Sequence, residues 1–200
     1  MNVTSTLKSA VGHYQRATDK LEQFLEPWFL GLMARFVFVA VLFGYYYNSF
    51  ATKVGEGVVG FFQIRPSAYY QIALPAVEAA GGNVSAVSFF PWGLMVIAGT
   101  YGEFILPILI VLGLFGRLAA LGMIVFILVQ TLVDITVHMV DAATIGALFD
   151  RFPDSLIMDQ RLLWIFPLLY LFVKGPGLLS VDALLARRFQ AMPSARQVQA

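Results

Sequence analysis

The sequence predicts an all-α, polytopic membrane protein: a four-transmembrane-helix bundle with amphipathic interfacial helices at its N- and C-terminal ends. Three observations carry that reading. Of the 200 residues, 59% are apolar, and mean hydropathy is +0.77. Only 12% are charged, about half the share usual in a soluble domain. The apolar residues gather in four stretches that can cross a hydrocarbon core of about 30 Å at about 1.5 Å per residue. The same composition excludes a disordered chain, and a net charge of +1 leaves no basic footprint for nucleic acid. With no cysteine, disulfides, thiol redox, iron–sulfur clusters and covalently attached haem are excluded.

The elements follow in chain order within one domain over residues 1–200. In residues 1–27, Leu7, Val11, Tyr14, Leu21 and Leu25 recur at helical spacing among Lys8, Arg16, Lys20 and Glu22, as in a helix lying in the membrane interface. Span one covers 28–50 and carries Arg35. The loop 51–88 is long and unusually apolar, with Phe61, Phe62, Tyr69 and Tyr70, and is expected to pack on the outer rim or dip into the interface. Its Asn83-Val84-Ser85 matches a glycosylation acceptor. Span two, 89–115, is interrupted by Glu103; span three, 118–140, carries Gln130, Asp134 and His138. Span four, 156–174, offers only twelve uncharged residues between Arg161 and Lys174, about 18 Å of rise. Either Lys174 snorkels, or Asp159, Gln160 and Arg161 enter the bundle, or both. In the tail 175–200, Gly175-Pro176-Gly177 ends the helix. Ser180 can then cap a second amphipathic helix, with Leu184, Leu185 and Phe189 toward lipid and Arg187 and Arg188 toward headgroups.

Basic residues orient the bundle. Lys8, Arg16, Lys20, Arg117, Lys174, Arg187, Arg188 and Arg196 fall on one side of it, against Lys53, Arg65, Arg151 and Arg161 on the other. Both termini are therefore expected in the cytoplasm. The first 26 residues are too polar for a secretory signal, so span one is expected to stay in the mature protein.

Ionisable residues in a span cost roughly 2.5–3.5 kcal/mol each at its centre and so call for partners. Counting from the cytoplasmic ends puts Arg35 about 12 Å and Glu103 about 21 Å deep, close enough for long side chains to meet. Pro107 adds to this, because it frees the carbonyl of Glu103 for a guanidinium. The two residues read either as a buried ion pair that fixes helix packing or as an inner polar site for a ligand headgroup or a proton. On span three, Gln130, Asp134, His138 and Asp141 follow steps of four, four and three, which place them on one helix face. Lys53, Asp159 and Arg161 reach the same level. Asp134 four residues before His138 suits an oriented imidazole, for a proton relay or a quinone carbonyl contact. The alternative is a hydrogen-bonded plug at the outer end of the bundle. No metal set converges, and bis-histidine haem fails because His13 falls on the cytoplasmic side, away from His138. Tyr45-Tyr46-Tyr47 reads as an interfacial aromatic belt.

Taken together, several segments resemble the DoxX family of small four-helix membrane proteins: Arg35, the Gly44 region and Lys53; Glu103 with LPILIVLGLFGRLAAL; His138; and KGPGLLSVD from Lys174 to Asp182. The long loop, the DQR start of span four and the N-terminal helix go beyond the family pattern. The family is similar to the membrane subunit of thiosulfate:quinone oxidoreductase, and other members accompany redox or stress-response enzymes. The resemblance implies a bacterial inner (plasma) membrane protein that contacts quinone as an oxidoreductase subunit or accessory, alone or as a homo- or hetero-oligomer. Arg35, Lys53, Glu103, Arg117 and His138 are family-like positions; the likeness does not make them catalytic. The alternative is a non-catalytic scaffold that docks a redox or stress-response partner. With no cysteine or haem ligand pair, electrons would come from a partner or from a bound reductant.

Overall fold

A computed structural model describes residues 3–190. Four helices in it are long and apolar enough to cross a membrane: α2 (Phe29–Ala51), α6 (Phe89–Leu112), α7 (Gly116–Thr136) and α9 (Leu156–Lys174). They stand close to the positions expected from hydropathy; span two ends three residues early and span three four. Shorter helices join them: α1 (Val3–Leu25), α3 (Gly57–Gly60), α4 (Pro66–Ile72), α5 (Leu74–Ala79), α8 (Ala142–Ile145) and α10 (Val181–Gln190). Among the described residues the only extended pairing is the isolated bridge Val54–Ile64. The end of the tail, with Arg196, lies outside the described residues.

The buried residues of α2 show how the bundle is seated. Ala34, Phe38, Leu42, Tyr46 and Phe50 recur every fourth residue and are all buried. An α-helix turns about 100° per residue, so such a row drifts about 40° at each step. A wide π turn at Val39–Phe43 interrupts the helix halfway and brings the row back onto the core. The first four members of the row pack with Ile110 of α6, Met123 and Ile127 of α7, and Trp164, Leu168 and Leu171 of α9. A second, smaller cluster forms where α4 lies on α6, with Ala68 and Ile72 against Val96 and Trp92.

The bundle has two unlike ends. At the tail end, the α6–α7 turn places Gly113 and Phe115 at positive φ. The segment after α9 folds back onto this turn. Asp182 accepts the Phe115 and Gly116 amides at 2.8 Å each and so caps the first turn of α7. Ser180 Oγ accepts the Ala183 amide at 3.2 Å, capping α10 as its position predicts. Gly31 meets Pro176 so closely that a Cβ there would lie 2.6 Å from the Pro176 carbonyl oxygen. At the loop end, 51–88 and 137–155 cover the helices with short turns. Lys174 does reach past its helix, to Glu26 at 2.5 Å.

Candidate functional site

Helix direction decides which charges meet. Side chains lean toward the N-terminus of their own helix. Arg35, on a helix running from tail end to loop end, leans to the tail; Glu103, on the antiparallel α6, leans to the loops. The expected Arg35–Glu103 pair does not form. Arg35 instead donates to three backbone carbonyls: Gly31 at 3.4 Å, Val111 at 3.0 Å and Leu179. Glu103 is met by Lys53, which follows the end of α2 and leans back down. Lys53 Nζ lies 2.8 and 3.0 Å from its two carboxylate oxygens. Ser49, one turn before Lys53, donates to Glu103 at 3.1 Å and accepts from Lys53 at 2.7 Å.

The second ion pair forms across α7 and α9. Arg161 is 3% exposed, drawn inward by the short apolar run of span four. It pairs with Asp134 and donates to Thr131 Oγ1 at 2.8 Å. Its Nε has no partner among the described residues. Gln130, one turn before Asp134, donates to Tyr45 Oη at 2.8 Å and accepts from Tyr46 Oη at 3.3 Å.

Two further expectations are corrected. Helix α7 stops at Thr136 within the β-branched run around Val133, Ile135 and Val137, and Thr136 Oγ1 turns back to the Leu132 carbonyl. The polar face therefore ends at Asp134. His138 is exposed beyond it, its Nε2 3.1 Å from the Gln71 carbonyl oxygen. Asp134 does not orient His138, because Arg161 holds its carboxylate. Asp141 turns to its own backbone and caps α8. Asp159 is likewise local: its carboxylate accepts the Ser155 amide at 2.9 Å and hydroxyl at 2.7 Å, while Ser155 Oγ accepts the Asp159 amide. This reciprocal cap starts α9 and keeps Asp159 out of the site.

The remaining residues share one space. A cleft of about 610 Å³ lies between the loop-end halves of α6 and α7, backed by α2 and the start of α9. Lys53, Glu103, Gln130, Asp134, His138 and Arg161 all line it; Arg35 lies away at the tail end. Sequence reasoning missed Ser49, Thr131 and Gln71, and it assigned Tyr45 and Tyr46 to the belt. Tyr46 is fully buried, whereas Tyr47 is half exposed. The spacing of Tyr45, Ser49 and Lys53, four residues apart on one helix face, was the available signal. Met95, Val125 and Val129 line the cleft and are also exposed on the outside of the bundle, so the cleft opens sideways between α6 and α7. Compared with known families, curated proteins and solved structures, the chain matches none.

Proposed function

We propose that the cleft seats the headgroup of a lipid-soluble quinone, and that the chain is a DoxX-like membrane subunit or accessory of an oxidoreductase. It would sit in a bacterial inner membrane with both termini in the cytoplasm, as its basic residues favour. The observation that carries the reading is a cleft with a lateral opening and charges that cancel in pairs. Two cations face two carboxylates, which suits an uncharged headgroup, and the opening leaves an apolar tail among the lipids. The group would supply two-electron, two-proton chemistry when bound, with electrons coming from a partner. The residues present fit it. The Arg161 Nε–H is a buried donor without a partner among the described residues, able to hold a ring carbonyl. Gln130 and Tyr45 can orient the ring. His138, exposed at the loop end of the cleft with Nε2 held by the Gln71 carbonyl, keeps Nδ1 for a ring carbonyl or for proton exchange with water.

Protein in lipid nanodiscs should bind a short-chain quinone analogue. Gln130→Leu and His138→Ala should each weaken binding about tenfold, since one hydrogen bond contributes ~1–1.5 kcal/mol. Unchanged affinity in both variants sinks the proposal.

A second reading is favoured by how completely both ion pairs are engaged: the charges hold helix packing, and the chain is a membrane scaffold. In that case Lys53→Met reduces folding yield, and Lys53→Met with Glu103→Leu restores it without affecting any ligand.

A further inference from the structure

The segment from Val54 to Ile64 leaves α2 below the level where α6 begins, and its contacts give its depth. The Phe61 ring packs on Phe50, Tyr101 and Phe104 with centroids 5.4, 5.7 and 5.2 Å apart, and Tyr101 Oη donates to the Phe61 carbonyl at 2.9 Å. The regular part of α6 starts at Leu94. Tyr101 and Phe104 are therefore about 10 and 15 Å along the helix toward the bilayer centre. With the hydrocarbon edge taken at Leu94 and both rings leaning toward the loop end, Phe61 falls within a layer of about 30 Å. Its neighbours Val58, Val59 and Phe62 turn outward and are 85%, 73% and 73% exposed.

The later amides of the segment close on its own carbonyls, while α3 starts without a side-chain cap. A chain in hydrocarbon must satisfy its amides internally. Gly55 donates to the Gly60 carbonyl at 2.8 Å, Phe61 to Gly57 at 3.0 Å, Gln63 to Gly60 at 2.9 Å and Arg65 to Lys53 at 2.8 Å. The turn closes tightly enough that a Cβ on Gly60 would lie 2.4 Å from the Gly55 carbonyl carbon. Of the segment's charged side chains, Arg65 stands just outside the Val54–Ile64 bridge and the fully exposed Glu56 just inside it, before Gly57, 3.7 Å apart.

From this we infer that residues 57–62 form a re-entrant hairpin whose Val58, Val59 and Phe62 insert among the acyl chains of the loop-end leaflet, beside spans one and two. The Arg65–Lys53 backbone bond ties this hairpin to Lys53, so the lipid-seated turn also fixes the cation that holds Glu103 in the cleft.

The natural absence of cysteine makes the test direct. Single variants Val58→Cys and Phe62→Cys carry a nitroxide in lipid nanodiscs, and collision with oxygen is compared with collision with a water-soluble nickel chelate. Leu128→Cys, on the exposed side of α7 away from the cleft, provides the lipid reference, and Glu78→Cys the aqueous one. Oxygen should dominate at both hairpin sites as it does at Leu128. Nickel dominance, as at Glu78, would overturn the inference, and so would weak collision with both reagents, which would mean that protein covers the hairpin. In a Gly60→Ala background, which pushes the turn apart, nickel access at Val58→Cys should rise; no change would count against the hairpin's seating.

Discussion

Both ends of the bundle hold buried cations, but by different means. At the tail end, Arg35 is bound to the carbonyls of Gly31, Val111 and Leu179, all main-chain groups. At the loop end, Lys53 and Arg161 are bound to the side chains of Glu103 and Asp134. A main-chain acceptor survives any substitution of its residue, whereas a carboxylate can be removed. The tail end is therefore a fixed joint. The loop end is adjustable, and the cleft is found there.

That contrast predicts which damage can be repaired. The largest effect belongs to Lys53→Met. Stranding the Glu103 carboxylate should cost ~3–5 kcal/mol, and most of it should return with Glu103→Leu, read as a double-mutant cycle by denaturant unfolding in micelles. Arg35→Met should cost ~3 kcal/mol through lost charge-assisted hydrogen bonds, and no second side-chain substitution should restore it. A compensating partner found by mutational scanning would break the contrast. Next comes Gly31→Ala, where overpacking against Pro176 should cost ~1–3 kcal/mol and lower the unfolding midpoint while leaving ligand binding unchanged. Asp182→Ala removes a cap of α7 and should cost ~1 kcal/mol, visible as faster amide exchange at Phe115 and Gly116.

The smallest effect is a pH response. Hydrogen bonds from the Thr144 hydroxyl and amide, helped by the Ala143 amide, hold the Asp141 carboxyl below the usual aspartate range. A depressed value means that the cap is present above the ordinary pKa and is lost as pH falls through the lowered one. Helix α8 should thus stay capped at pH 5 and fray only in stronger acid, followed by the amide shifts of Ala143 and Thr144.

The spans were legible because an apolar run of about 20 residues matches the hydrocarbon thickness and is too apolar to lie in water. The pairing was not, because a depth count treats side chains as points. Glu103 and Arg35 lean apart by the direction of their helices, and Lys53, assigned to the loop end by position, leans back into the bundle. The inward pull on Arg161 was readable from the short fourth span. Asp159 was misread because its capping partner, Ser155, lies in the loop before the apolar run. His138 fell out of register because the helix stops two residues before it. The two glycine-bearing segments, GLFGR at 113–117 and KGPGLLSVD at 174–182, touch at the tail end, where Pro176 and Asp182 meet the α6–α7 turn.

The tail clasp also sets an order of assembly. Arg35 emerges early from the ribosome, yet one of its acceptors, Leu179, lies 144 residues later. The turn after span two waits 67 residues for Asp182. The first three spans can therefore enter the bilayer and collapse, but the joint at their tail end can close only once the segment after span four has been made. The closing stitch of the bundle lies downstream of all four spans, and a chain released before it would carry a guanidinium still short of one of its carbonyls.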